Sequence, residues 1–121
     1  LFLSQSEVIR DIAEKGGAVI VGRCADYVLQ GKPNHLNVFI QAPMEARVQR
    51  VMARHDLDRK AAEALIAKTD KNRANYYLHF TGEKWGDRKN FNLILSSAIG
   101  VEASVDMIAE YYTRMEECAG K

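Results

Sequence analysis

Three short apolar runs, at 18–21 (AVIV), 37–41 (NVFIQ) and 91–95 (FNLIL), are separated by stretches whose apolar residues recur at helical intervals. No other feature limits the possible folds as much. None of the runs alternates polar with apolar residues, as a strand with one wet face would, so each reads as a strand covered on both faces of a parallel sheet. Parallel strands need crossovers, and the intervening helices supply them. The predicted order is helix, strand, short helix, strand, two helices, strand, helix. The predicted fold is therefore α/β, a parallel sheet with covering helices.

The first run is bounded by Gly16, Gly17 and Gly22, and Arg23 follows at once. Ligands of open α/β sheets sit in the crevice outside the carboxyl ends of the strands. Arg23 is thus either a ligand contact at that edge or a solvated turn residue.

Upstream, Ser4 and Glu7 have capping-box spacing, and Val8, Ile9, Ile12 and Ala13 keep helical phase until Gly16. Residues 25–29 read as a short helix ended by Gly31. Pro43 suits the first turn of the next helix. There Met44, Val48, Val51 and Met52 form the apolar side, while Arg47, Arg50 and Arg54 share one face. Asp58 can cap a long helix reaching about Phe80, with Ala62, Leu65, Ile66, Thr69, Tyr76, Tyr77 and Phe80 as its stripe. Arg73 falls on that stripe with Asp70 one turn earlier, so either the two satisfy each other or the arginine reaches an anionic ligand. Residues 81–90 are polar, contain Trp85 and read as a loop or lid. Val101, Val105, Ile108, Tyr112 and Met115 define the packing face of a last covering helix.

The net charge of +1 over 121 residues gives no global signature of nucleic-acid or membrane binding. Charge is nevertheless uneven. Residues 47–89 hold 11 of the 17 Lys and Arg but 6 of the 16 Asp and Glu, which favours an anionic partner such as a nucleotide or a small phosphorylated substrate. The two cysteines form no CxxC and no Cys/His cluster, so no metal site is expected and a reducing, cytoplasmic setting is the default. No apolar run is long enough to span a membrane. An oligomer is compatible with all of this. Three strands are few for such a sheet, and the sequence begins with Leu1 in an apolar context. Part of the sheet is therefore expected to lie outside it.

The motifs VGRCADYVL, VFIQAPMEARVQRVMAR, DKNRANYY and NLILSSAIGVEASVDMI, in that order, resemble the cytidylate kinase-like family of P-loop nucleoside monophosphate kinases. The similarity runs from about Ser4 to Tyr112. It implies a partial P-loop kinase-like domain over residues 1–121 with a helical lid at about 54–88, and phosphoryl transfer from ATP with Mg²⁺ to a small acceptor. It further implies that Arg23 contacts the acceptor nucleotide and that Arg73 binds phosphate and is oriented by Asp70. Arg50, Lys68 and Lys71 would support them, while Arg47 and Arg54 are read as surface or helix-pairing residues. Cytidylate kinases proper carry an aspartate where this chain has Cys24, so selectivity for cytosine is not implied. No GxxxxGK[ST] occurs, so the cradle for the donor phosphates is expected outside the chain and the chain alone is expected to be inactive. The family's sheet sets the donor-loop strand between those at 18–21 and 37–41, which without it either flank a gap or pair with each other. The alternative reading is a non-catalytic nucleotide- or phosphate-binding module, or a protein-interaction module.

Overall fold

The computed structural model describes residues 2–22 and 24–119. Its elements are α1 (Phe2–Lys15), α2 (Ala25–Val28), β1 (Val38–Gln41), α3 (Met44–His55), α4 (Arg59–Thr81), β2 (Leu93–Ser96) and α5 (Val101–Ala119). Two 3-10 turns, Arg88–Asn90 and Ser97–Ile99, flank β2. The result is a mostly helical α/β structure around a small parallel sheet.

β1 and β2 pair in parallel, from Val38 opposite Leu93 to Gln41 opposite Ser96. Two asparagines close the amino end of this pair: the Asn92 amide donates to the Asn37 carbonyl at 2.8 Å, and the Asn37 amide donates to Asn92 Oδ1 at 2.9 Å.

The strand expected at 18–21 does not form. Residues 16–21 are irregular, and among the described residues nothing pairs with them. Val19 and Val21 are 93% and 85% exposed. A strand satisfies its backbone groups through a neighbour, and β1 pairs with β2 rather than with this run. Neither of the two outcomes the sequence left open is observed, because the run forms no strand that could pair with β1 or face it across a gap. Only Ile20 turns inward, against the cluster of Ile9, Val28 and Leu29.

α1 starts earlier than the expected cap. Ser4 lies inside the helix, because Phe2 is drawn in by its ring contact with Phe80 at 4.6 Å. The Ser6 hydroxyl donates to the Phe2 carbonyl at 2.9 Å. α3 and α4 meet around Val48, Ala62 and Ile66, which are at most 5% exposed. Asp58 caps α4 as expected, accepting from the Ala61 amide at 2.8 Å and filling one of the donors that a helix start leaves unpaired. Tyr77 ties α4 to α2: its hydroxyl donates to Asp26 Oδ2 at 2.7 Å.

The expected packing face of α5 is only partly covered. The helix touches β2 and the turn before it, while Val101 and Val105 are 82% and 57% exposed. A two-stranded sheet is too narrow to cover a helix of 19 residues.

Candidate functional site

A cleft of about 300 Å³ opens at the carboxyl ends of the two parallel strands. Gln41 ends β1 there, and Ser97 follows β2. Pro43, with φ −56, precedes α3 as its cap residue rather than sitting within its first turn. The helix therefore starts directly beyond the strand end, and its first two turns bring Arg47 and Arg50 to the cleft. α4 returns past the same edge and contributes Asp70 and Arg73.

Two guanidinium groups thus pair with one carboxylate, and a third, that of Arg50, lines the same cleft. Asp70 Oδ1 lies 2.7 Å from an Arg47 guanidinium nitrogen and 3.6 Å from one of Arg73. The pairing expected within α4 is therefore the longer of the two, and the short hydrogen bond runs between α3 and α4. That bond is the main reason the Arg47 guanidinium is held even more firmly in its charged form than an ordinary arginine. The Arg73 side chain is 58% exposed, against 28% for Arg47. Arg50 is exposed as well. Arg47 is consumed by a structural pair, whereas Arg73 and Arg50 remain able to meet an anion.

The other wall is aromatic. Trp85 packs edge-on against Phe39, with centroids 5.5 Å apart and planes at 64°, a favoured arrangement for ring quadrupoles. Gly86 lies beside this contact. Its φ is +81, a conformation that favours glycine, while a Cβ there would meet Phe39 Cζ at an ordinary contact distance of 3.4 Å. The loop expected over 81–90 is therefore docked on the strand edge rather than extended into solvent. Oriented positive charge on one side and rings on the other make a cleft suited to a phosphate attached to a flat apolar group.

Of the residues singled out in the sequence, Arg50, Asp70 and Arg73 are brought together here. Lys68 and Lys71 are exposed and do not line the cleft, since neighbours two before and one after Asp70 point to other sides of a helix. Arg23 lies outside the described residues. Arg54 is exposed and away from the cleft, three turns along α3 from the strand end. Sequence reasoning set Arg47 aside as a surface or helix-pairing residue. It does pair helices, but it also lines the site, and its place one turn after a strand end was the available signal. Phe39 and Trp85 were missed as a wall because only the tertiary fold brings residues so far apart in sequence together. Among the described residues no group of three or more His, Cys, Asp or Glu side chains could hold a metal ion.

Fold and cleft define an α/β protein with an arginine-lined cleft at the carboxyl edge of parallel strands. The profile of the cytidylate kinase-like family matches residues 1–99, and the chain belongs to that family. It is similar to a cytidylate kinase of Methanopyrus kandleri, 28% identical over an alignment of 97 residues, with 74% of this chain and 50% of the relative covered. It is also similar to a cytidylate kinase of Thermococcus sibiricus, 30% identical over 87 residues, or 72% of this chain and 44% of the relative. The chain thus spans about half the length of these curated relatives. Among solved structures, an uncharacterized protein from Eubacterium ventriosum superposes with a TM-score of 0.87 at 33% identity, over 93% of this chain and 65% of that one.

Proposed function

We propose that this chain is the acceptor-side and lid portion of a cytidylate kinase-like phosphotransferase with a P-loop type of fold. The observation that carries the reading is the cleft that Arg50 and Arg73 line, with Asp70 paired to Arg73, at the carboxyl ends of β1 and β2, in a chain of this family. In phosphoryl transfer the protein contributes mainly positioning and positive charge around the transferring group. Arg73 and Arg50 are free to bind phosphate oxygens of a nucleoside monophosphate, and Asp70 restrains Arg73 while holding Arg47. The docked Trp85 loop narrows the entrance and limits access of water. The segment 54–88, which includes α4 and this loop, is the lid in this reading, with Lys68 and Lys71 as an outer ring of positive charge and Arg23 as an acceptor contact.

ATP and Mg²⁺ belong to the reading through the family alone. The cleft's single carboxylate, Asp70, is already engaged by arginines, so these residues do not form a magnesium site. A reducing, cytoplasmic setting accords with the free thiols of Cys24 and Cys118. Among the described residues no helix is long and apolar enough to cross a membrane.

Calorimetry of the chain with a panel of nucleoside monophosphates tests the acceptor site. Binding of at least one is expected, and Arg73→Ala is expected to weaken it; heats indistinguishable from dilution for every nucleotide overturn the reading. Phosphoryl transfer itself is tested on the full-length gene product with ATP and Mg²⁺.

A further inference from the structure

A second cleft, of about 360 Å³, lies at the opposite end of the sheet, where Asn37 and Asn92 lead into β1 and β2. Residues after α2, the start of both strands and Tyr77 of α4 enclose it. Among the described residues two buried side-chain polar atoms lack a hydrogen-bond partner, His35 Nδ1 and Asn90 Nδ2, and both residues line this cleft. A buried polar atom without a partner costs free energy in proportion to its lost hydration.

The surrounding polar groups are paired, so the two orphans are not part of a generally loose region. Asp26 accepts from the Tyr77 hydroxyl at 2.7 Å. Asn37 Nδ2 donates to the Asn90 carbonyl at 3.3 Å, and the Asn92 side chain is engaged by the Asn37 amide. Burial, then the Asp26 hydrogen bond, holds the Tyr77 hydroxyl in its neutral form. Lys32 and Lys89 add two cations to the lining, against the one carboxylate of Asp26. Lys89 is bound only loosely, with Nζ 4.0 Å from Asp87. An unused amide donor, an unpartnered imidazole nitrogen and two ammonium groups together call for an acceptor of negative charge. A water molecule would fill the hydrogen bonds without engaging the two ammonium groups.

We propose that this cleft binds a small oxyanion of the phosphate class, held by Asn90 and His35 and attracted by Lys32 and Lys89. The site is separate from the arginine cleft and does not depend on the function proposed for it.

Nitrogen-resolved NMR of the full chain tests this, with inorganic phosphate titrated at constant ionic strength against chloride. The His35 ring and Asn90 side-chain amide signals are expected to shift together and to saturate, with a midpoint of about 1 mM or below. Lys89→Met, which removes an exposed charge without touching the core, should raise that midpoint about tenfold, a change of ~1.4 kcal/mol. Arg73→Ala should leave it unchanged. Repeating the titration with ribose 5-phosphate separates the sources: a lower midpoint identifies the phosphoryl group of a larger metabolite, and an equal one identifies the free anion. Shifts that are absent, or that rise without a plateau and are matched by chloride, overturn the proposal and leave the cleft to water. So does a response abolished by Arg73→Ala, because the phosphate would then be acting from the other end of the sheet.

Discussion

The α3–α4 hairpin and the segment 16–22 carry comparable apolar content but have opposite fates. In the hairpin, Val48 and Ala62 are 1% and 0% exposed, and Asp58 caps the second helix. In the segment, two of three consecutive branched residues face solvent. A helix satisfies its own backbone and needs only one covered face, so α3 and α4 complete each other locally. A strand must be satisfied by a second chain segment, and this one has none among the described residues. Hydrophobicity selects what can be buried, and pairing decides whether a strand exists.

The largest effect expected from this contrast lies in the hairpin. Ile66→Ala leaves a hole between α3 and α4 that neighbouring side chains fill only in part, and should cost about 2–5 kcal/mol in urea denaturation. A loss as small as that of a surface substitution would mean that the hairpin is not the structural centre of the chain. Tyr77→Phe comes next, because it takes the donor from a part-buried carboxylate, and should cost about 1–3 kcal/mol. It also carries a signature in pH. Burial and the Asp26 hydrogen bond raise the Tyr77 hydroxyl above its ordinary value near 10, so the folded state favours the protonated form. That contribution is complete below pH 10 and is lost as the pH rises beyond it. Stability measured across the alkaline range should therefore fall more steeply in the parent chain than in Tyr77→Phe.

At the carboxyl edge of the sheet the expected effect is on binding rather than on folding. Arg73 is 58% exposed and makes one long ion pair, so Arg73→Ala should weaken nucleotide binding by about tenfold or more while leaving the unfolding midpoint nearly unchanged. Equal loss of both would assign Arg73 to the scaffold. Asp58→Ala should cost about 1 kcal/mol, the usual value for a lost N-cap, read as a lower midpoint with an unaltered denaturant slope.

How far the sequence was legible follows the same division. Helices announce themselves through neighbours three and four apart, so α3, α4 and the Asp58 cap were readable from local spacing. β1 and β2 were readable because each is a short apolar run, and each found the other as a partner. The run at 18–21 carries the same local signal and failed, since no local pattern records whether a neighbour is present. Within the arginine cleft, Arg50, Asp70 and Arg73 were legible from helical phase and charge. The Arg47–Asp70 hydrogen bond was not, because it joins residues 23 positions apart on different helices. The oxyanion cleft was silent in the sequence for the same reason: His35 and Asn90 become neighbours only once β1 and β2 pair.

The smallest effect predicted is the one that tests the comparison itself. Val21 is 85% exposed, so Val21→Ser removes almost no buried surface and should change stability by no more than about 0.5 kcal/mol. Ile20→Ser, one position away, removes a side chain that packs on Ile9, Val28 and Leu29 and should cost several times as much. Such alternation is what one-sided contact produces, whereas a strand buried on both faces would penalise the two substitutions alike. A cost for Val21→Ser as large as that for Ile20→Ser assigns the run to a completed sheet, and a negligible one makes the segment a surface strap over α1 and α2.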